Sequence, residues 1–271
     1  MYEPKIILQG APNARDLGGI ETKDGKRVKQ GRLIRSGMLS RLTDADLAYL
    51  HDIGLRKVVD FRTEAERRQK PDRLPEGAEH IICPMLEDKL EGISRDKPET
   101  DDEEAERTVK MAHRIMQRGR DGGEQMKSLY PVLVTLEHSV EHYREFFDIL
   151  LHHEEGALLY HCTMGKDRVG TATALLLSAL GVERETIYAD YMLTAERCAP
   201  GTERLVAACR SYTSDPEVLE FIRMLDTVRP DYLDAAFDTI DEHYGSLEAF
   251  LRDKMCLDDE KRARLRELYL E

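Results

Sequence analysis

A cysteine and an arginine separated by five residues carry the most specific chemical signal in this 271-residue chain. The segment reads His161, Cys162, Thr163, Met164, Gly165, Lys166, Asp167, Arg168. The apolar run 156–160 before it predicts a buried strand, and the apolar run 171–181 after it predicts a buried helix that ends at Gly181. We therefore expect a loop between a strand and the N-terminus of a helix.

Such a loop is suited to binding a phosphate group. Unpaired backbone N–H groups and the positive end of the helix macrodipole attract anions at a helix N-terminus. The same donors stabilise a thiolate, and thiols in comparable surroundings have a pKa of roughly 3.5 to 7.5. Cys162 is thus a candidate nucleophile, and the planar guanidinium of Arg168 can bind two phosphoryl oxygens. The predicted chemistry is nucleophilic attack on phosphorus.

The other residues of the loop have predicted roles of their own. A carboxyl group at Asp167 can protonate a departing oxygen and later accept a proton from water, and Lys166 adds a second cation. Substrate contacts are also expected from the remaining loop residues, which are Thr163, Met164 and Gly165. His161 either tunes the thiolate or bonds to the backbone, and we favour the structural role. A nucleotide-triphosphate loop is excluded because Asp167 stands where that motif needs Ser or Thr.

The elements that must position this loop can be read from hydrophobic patterns. The run 55–61 predicts a strand that places Asp60 and Arg62 at its carboxyl end, where open α/β sheets have their sites. These two residues are further candidates for substrate binding, with a strand-end cap and a surface arginine as the alternative. The remaining predicted elements include an edge strand at 31–35, a helix starting at 43, a strand at 81–85 and a long amphipathic helix over 130–150.

Together with five other segments, the loop resembles a bacterial Cys-x5-Arg tyrosine phosphatase family with mycobacterial members, in which it reads His-Cys-x-x-Gly-Lys-Asp-Arg. The other matching segments are 13–19, 31–37, 58–64, 190–194 and 243–246. The resemblance implies an α/β fold of three layers, with a mostly parallel sheet of four or five strands flanked by helices, plus a helical insertion. It also implies a protein-tyrosine or dual-specificity phosphatase with a cysteinyl-phosphate intermediate. In that family the residue matching Asp167 is the general acid, and the residue matching Lys166 is associated with activity on phosphoinositides.

The chain is expected to form a single phosphatase domain over residues 1–271. Composition shifts within 86–128, where acidic and glycine-rich runs flank a helical pattern, and this segment is predicted to be an insertion. A lid over the phosphate site and a passive excursion are both open readings of it. Residues 183–271 predict a series of helices that form the C-terminal part of the same domain.

Composition narrows the partners. The formal net charge is -13, which disfavours nucleic acid and acidic membrane surfaces as main partners. No run approaches the ~20 apolar residues of a membrane span, and residues 1–5 lack the apolar region of a signal peptide, so a cytoplasmic protein is expected, with export lacking a signal left open. Five cysteines without Cys-x-x-Cys spacing predict free thiols. No metal or cofactor is expected, because the adjacent His152 and His153 point in different directions and no carboxylate cluster has ligand spacing.

Several functions remain open beside hydrolysis of phosphotyrosine in proteins, whose product is inorganic phosphate. Phosphoinositides are the second substrate class, because Lys166 supplies charge for another phosphate. The resembled family commonly has Ser or Thr after the arginine, whereas this chain has Val169, so a phosphate-binding module with slow turnover is an alternative. Sulfur transfer of the rhodanese type is less favoured, because that loop is usually one residue shorter and lacks an acid at the position of Asp167.

Overall fold

The computed structural model of the chain describes residues 8–88 and 101–271, and within these a single five-stranded sheet forms the centre. The strands are β1 (Arg15–Asp16), β2 (Leu33–Ser36), β3 (Leu55–Asp60), β4 (Glu79–Ile82) and β5 (Ala157–His161). Their order across the sheet is β1-β2-β5-β3-β4. Only β1 is antiparallel to its neighbour, and the other three pairings are parallel. The predicted mostly parallel sheet is confirmed.

Twelve helices lie within the described residues. They are α1 (Asp44–Asp52), α2 (Glu64–Gln69), α3 (Asp101–Met116), α4 (Gly122–Lys127), α5 (Leu129–Thr135), α6 (Glu137–Leu151), α7 (Asp167–Leu180), α8 (Arg184–Cys209), α9 (Pro216–Asp226), α10 (Pro230–Tyr244), α11 (Leu247–Asp253) and α12 (Asp259–Tyr269). The predicted start of α1 is confirmed, since Thr43 accepts from the amide of Asp46 and the Asp46 carboxylate accepts from the amide of Thr43.

The sheet separates two hydrophobic layers. Because successive side chains of a strand face opposite sides, Leu158 and Tyr160 of β5 join the larger core, which is formed with α5–α8 and α10–α12. Leu159 faces the other side and packs in a smaller core that contains Leu50 of α1. The chain therefore has the three predicted layers, with both faces of the central strand β5 buried.

The strand register brings three strands to one edge of the sheet. Strand β5 lies between β2 and β3, and His161 at its end is paired with both Ser36 and Asp60, the last residues of its two neighbours. Residues that follow these three strands therefore emerge side by side. This edge is where open parallel sheets form ligand sites.

Several predicted elements differ from the structure, including β4, which spans Glu79–Ile82 where a strand at 81–85 was expected. Strand β2 is not an edge strand, because the two-residue β1 pairs along its outer side. The single helix predicted over 130–150 is divided into α5 and α6 at Leu136, whose ψ of 123° is extended. Near this break, the Thr135 hydroxyl donates to the carbonyl of Pro131 at 2.8 Å, an alternative bond that weakens helical propagation.

Helix α8 is much longer than the helix predicted over 185–194, because it continues through Pro200 for 26 residues. Proline removes one N–H and usually ends a helix. Here Cys198 and Thr202 are buried on either side of Pro200, and Val206 packs in a hydrophobic cluster with α3 and α9. This packing stabilises the helix where local propensity disfavours it.

Helix α3 falls in the predicted insertion and has its own hydrophobic cluster. Its Ala105, Val109 and Ala112 pack against residues of α8 and α9, separately from the main core. Lys70, which follows α2, also pairs with Glu104 at 3.1 Å. Residues 89–100 of the predicted insertion lie outside the described residues, so its boundaries and its role as a lid stay predictions.

Two further expectations concern the chain as a whole. All five cysteines are free, as predicted. Across residues 8–88 and 101–271, no helix has the length and apolar character needed to cross a membrane. The expected cytoplasmic location stays a prediction.

Candidate active site

Cys162 follows β5 directly, and Arg168 lies in the first turn of α7. The predicted order of strand, loop and helix is therefore confirmed, as is the end of α7 at Gly181, whose φ of 86° is left-handed. Cys162 is only 2% exposed. The cysteine thus lies deep in the loop, at the sheet edge where β2, β5 and β3 end together.

The carbonyl groups of the loop are bonded by residues outside it. Thr163 O accepts from the amide of Met38 at 3.0 Å, and Met164 O accepts from Asn13 Nδ2 at 3.3 Å. Gly165 O accepts from Asn13 Nδ2 at 2.8 Å and from Arg35 Nη2 at 2.9 Å. Within a peptide unit the N–H points opposite to the C=O, so these bonds turn the loop amides to the other side. A row of amides turned in this way forms an anion-binding concavity.

Gly165 is required by the geometry of this loop. Its φ is +67°, a conformation that side chains disfavour, and a Cβ atom would lie 2.5 Å from the backbone oxygen of Ser36. The loop can approach the end of β2 only because this position has no side chain. The predicted contribution of Gly165 to the site therefore comes from its backbone.

Behind the loop, two arginines share one aspartate. Arg15 Nε is 2.8 Å from Asp190 Oδ1, and Arg35 Nη1 is 2.6 Å from Asp190 Oδ2. All three side chains are at most 1% exposed. Burial and the charge of Arg15 lower the pKa of Arg35, and the carboxylate of Asp190 opposes this effect. Because two positive charges face one negative charge, the cluster leaves a buried excess positive charge behind the loop that contains Cys162.

This cluster gives a role to segments that the sequence analysis matched to the family without assigning their residues. Asn13 and Arg15 belong to the segment 13–19, Arg35 to 31–37, and Asp190 and Thr194 to 190–194. Thr194 Oγ1 accepts from Arg15 Nη2 at 3.2 Å and from Asn13 Nδ2 at 3.3 Å. A buried polar network thus connects the N-terminal segment, β2 and α8 to the loop that contains Cys162.

Arg168 is held by Glu66 of α2, a residue that the sequence analysis did not identify. Glu66 Oε2 and Oε1 accept from Arg168 Nη1 (2.6 Å) and Nη2 (2.7 Å), a bidentate pair. Burial alone would raise the pKa of Glu66, but the charge of Arg168 lowers it to about 2. The pKa of Arg168 is raised, because the negative charges of Glu66 and of an ionised Cys162 outweigh the effect of burial. The guanidinium is therefore fixed by Glu66.

The position of Glu66 follows from a local signal. The Thr63 hydroxyl accepts from the amide of Glu66 at 3.3 Å, and Glu66 Oε2 accepts from the amide of Thr63 at 2.9 Å. This is a capping box, and its sequence signature, Thr-x-x-Glu directly after a strand, was readable in the chain. Thr163 also donates to Glu66 at 2.5 Å, so its hydroxyl is used to position the carboxylate.

Asp167 and Lys166 lie at the start of α7 with different partners. Asp167 Oδ1 accepts from the hydroxyl of Tyr130 at 2.8 Å, and its Oδ2 is 3.8 Å from Lys166 Nζ. Lys166 Nζ donates to the carbonyl of Leu225 at the end of α9 and is 3.5 Å from that of Thr227. The ammonium group of Lys166 is therefore directed at α9, and binding a second phosphate would require it to leave these carbonyls.

Asp60 and Arg62 lie in a buried polar cluster next to the residue that precedes Cys162. Arg62 donates to Asp60 Oδ2 from Nη2 (2.7 Å), to Asp72 from Nη2 (2.6 Å) and to the carbonyl of Lys70 from Nη1 (2.7 Å). His161 Nε2 is 3.1 Å from Asp72 Oδ2, so the cluster touches the residue that precedes Cys162. Asp60 and Arg62 are buried, and their contacts favour a positioning role over direct substrate contact. Arg62 is not the surface arginine considered as an alternative.

The same cluster contains four side chains with metal-ligand chemistry, namely Asp60, Asp72, His80 and His161. Their ligand atoms lie within 4.8 Å of one another. The guanidinium of Arg62, however, is 2.7 Å from Asp60 Oδ2 and 2.6 Å from Asp72 Oδ2, so it engages an oxygen of each carboxylate and places a positive charge where a metal ion would have to bind. These residues therefore do not fit a metal centre.

Comparisons with known proteins identify the family to which the chain is similar. A family model described as the tyrosine phosphatase family matches residues 6–271. A Cupriavidus necator protein, provisionally named a tyrosine-protein phosphatase, is 34% identical over 248 residues, covering 91% of this chain and 82% of that protein. The triple specificity protein phosphatase PtpB of Mycobacterium tuberculosis is 33% identical over 269 residues, covering 91% and 92%. Among solved structures, P. aeruginosa TpbA in complex with pTyr aligns over 74% of this chain and 89% of that chain at 12% identity, and its TM-score of 0.28 is too low to support an inference.

Proposed function

This chain belongs to the tyrosine phosphatase family, and we propose that Cys162, Arg168 and Asp167 carry out its phosphatase reaction. One observation carries this assignment. The loop around Cys162 has carbonyls bonded from outside by Asn13, Met38 and Arg35, and this turns its amides to the opposite side, which supports an anion site there. A buried cysteine and a fixed arginine beside such a site supply a nucleophile and an electrostatic partner for a phosphoryl group.

The first step forms a covalent intermediate. The thiolate of Cys162 attacks phosphorus, and an S–P bond forms as the P–O bond to the tyrosine oxygen breaks. The electron pair of that bond stays with the departing oxygen, which takes a proton from Asp167. Arg168 and the loop amides bind the three equatorial oxygens, whose charge is redistributed in the transition state.

The second step releases phosphate. Asp167, now ionised, accepts a proton from a water molecule as the water oxygen attacks phosphorus, and the S–P electron pair returns to Cys162 as thiolate. Val169 is buried and has no hydroxyl to assist the departing sulfur, and the Thr163 hydroxyl is engaged by Glu66. These contacts support release at a modest rate.

We expect Asp167→Asn to lower kcat/KM for phosphotyrosine peptides by about 10²-fold, because a poor leaving group needs the proton that the acid supplies. With p-nitrophenyl phosphate, whose leaving group is stable as an anion, the loss should be much smaller. The measurement is a series of aryl phosphates of increasing leaving-group pKa, assayed against wild type. The surface variant Asp148→Asn is the control. An equal loss across the series would place the proton donor elsewhere.

The proposed substrate class is phosphotyrosine in proteins, with phosphoinositides second. If Lys166 binds a second phosphate, Lys166→Ala should reduce phosphoinositide hydrolysis about tenfold more than phosphotyrosine hydrolysis, since it removes a charge-assisted contact. Side-by-side assays with both substrates test this, and the exposed Lys110→Ala is the matched control. Equal losses would assign Lys166 to positioning, which its bond to Leu225 also supports.

The segment 86–128 is part of this proposal as a helical insertion. Helix α3 within it packs on α8 and α9, and its Glu104 pairs with Lys70 next to α2, the helix that carries Glu66. Changes in the position of α3 can therefore reach the residue that holds Arg168. A lid stays the proposed role of this segment.

A further inference from the structure

Two buried tyrosines form a chain of hydroxyl groups that ends on Asp167. Tyr130 of α5 has its hydroxyl 2.8 Å from Asp167 Oδ1, and the hydroxyl of Tyr191, on α8, is 2.5 Å from that of Tyr130. Their residues are 0% and 1% exposed. A buried hydroxyl needs a partner inside the protein, and the last acceptor in this row of hydroxyl groups is a carboxylate oxygen of Asp167.

The number of available protons determines which hydroxyl donates to which acceptor. Each tyrosine hydroxyl has one proton to donate, so Tyr130 can donate either to Asp167 or to Tyr191 but not to both. If Tyr130 donated to Tyr191, the proton of Tyr191 would have no hydrogen-bond acceptor among the described residues. The consistent arrangement therefore runs from Tyr191 to Tyr130 and from Tyr130 to Asp167 Oδ1.

We propose that Tyr130, supported by Tyr191, is a positioning residue that keeps Asp167 Oδ1 as an acceptor and so leaves the transferable proton on Oδ2. This inference rests on the proposed role of Asp167 as general acid. With one oxygen engaged, the carboxyl group has a defined orientation at the start of α7. Proton donation then occurs from one atom in one direction, which general acid catalysis requires.

Other charged and titratable groups also surround Asp167 and must be distinguished from Tyr130. Lys166 Nζ is 3.8 Å from Oδ2, and Arg168 is the next residue in α7. The charge of Asp167 also acts on Tyr143 of α6 and Tyr232 of α10. All of these groups remain when only the hydroxyl of Tyr130 is removed, so a change seen in Tyr130→Phe reports that hydroxyl.

Tyr130 keeps its proton throughout the working range of an enzyme. Burial, followed by the charge of Asp167, raises the pKa of Tyr130 well above its ordinary value. The hydroxyl therefore acts as a hydrogen-bond donor and not as an acid that exchanges charge with Asp167.

We expect Tyr130→Phe to move the high-pH limb of kcat/KM upward by about one pH unit, because ionisation of Asp167 becomes less favourable without the donor. That limb is informative because the first step requires protonated Asp167. The substrate is a phosphotyrosine peptide, whose poor leaving group makes the proton essential. Tyr191→Phe should move the limb in the same direction by less. The control is Tyr269→Phe, which removes a buried hydroxyl that bonds to Leu150 O at 2.8 Å.

The same profiles in an Asp167→Asn background separate this inference from the proposed function. There the limb should be absent, and Tyr130→Phe should change kcat/KM by less than about twofold, because the pair can no longer couple. If Asp167→Asn removes the limb but neither tyrosine variant moves it, the positioning role is overturned and the acid role stands. If the limb persists in Asp167→Asn, both are overturned. Should Tyr130→Phe fold poorly, Tyr191→Phe alone decides, and a high-pH limb that does not move in this variant rejects the positioning role of the two tyrosines.

Discussion

Cys162→Ser is expected to lower kcat/KM for a phosphotyrosine peptide by a factor on the order of 10⁴ or more while phosphate binding is retained. A serine hydroxyl is not ionised at neutral pH, so the nucleophile of the first step is lost. The loop amides keep their orientation, because the bonds from Asn13, Arg35 and Met38 go to loop carbonyls and not to the sulfur. Arg168 keeps its partner Glu66 for the same reason.

Two measurements check this expectation. Steady-state assays should show the loss in Cys162→Ser and near wild-type activity in Cys209→Ser, whose cysteine is buried between α8 and α3. Mass analysis of acid-quenched wild type should find one phosphate on Cys162. Activity above about 1% in Cys162→Ser would contradict the nucleophile assignment. Wild-type turnover well past one equivalent would in turn exclude the phosphate-binding module suggested by Val169.

The chemistry of the loop was predictable because it is local. Cys162 and Arg168 are six positions apart, and the apolar runs on either side indicate a strand and a helix whose junction makes an anion site. The structure confirms that order of elements. Their mutual geometry then follows from backbone connectivity. A short segment that carries its own structural signals can therefore be read without knowledge of the rest of the fold.

The residues that hold the loop could not be predicted as easily from the sequence, because they are distant from the loop along the chain. Glu66 is 102 positions from Arg168, and Asp190 is 155 positions from Arg35. Contacts at such separations leave no periodic pattern in a single chain, since each partner is one residue in a segment with another local purpose. Glu66 reads as a capping residue of α2, and its second role depends on where the sheet places that helix.

Helix boundaries were missed where packing and local preference disagree. The chain continues as helix α8 through Pro200 because Val206 and its neighbours pack on α3 and α9. It leaves helical geometry at Leu136 although no proline or glycine stands there. The continuation of α8 depends on tertiary contacts that hydrophobic spacing does not contain. At the break, the local bond from the Thr135 hydroxyl to the carbonyl of Pro131 is equally absent from that spacing. The same limit explains why β2 read as an edge strand, because the two-residue β1 is too short to be recognised.

Asp190 is the counter-charge of the two buried arginines behind the loop, Arg15 and Arg35. We expect Asp190→Asn to lower the free energy of unfolding by about 3–5 kcal/mol, because it leaves Arg15 and Arg35 buried without a counter-charge. Urea denaturation measures this loss. The control is Asp253→Asn, which removes an aspartate paired with Arg252 at the surface and should cost at most about 1 kcal/mol. Both variants remove the charge of an aspartate paired with arginine, and the two sites differ in burial and in the number of arginines.

The pH dependence of stability gives an independent check on Asp190. Burial alone would raise the pKa of Asp190, but the charges of Arg15 and Arg35 outweigh this and lower it below its ordinary value of 3.8. A carboxyl group whose pKa is lowered by folding stabilises the protein above that ordinary value, and the contribution is lost as pH falls through the lowered pKa. Wild type should therefore lose this contribution in acid, and Asp190→Asn should lack that part of the loss. An unfolding free energy within about 1 kcal/mol of wild type at neutral pH would show that the two arginines do not depend on Asp190.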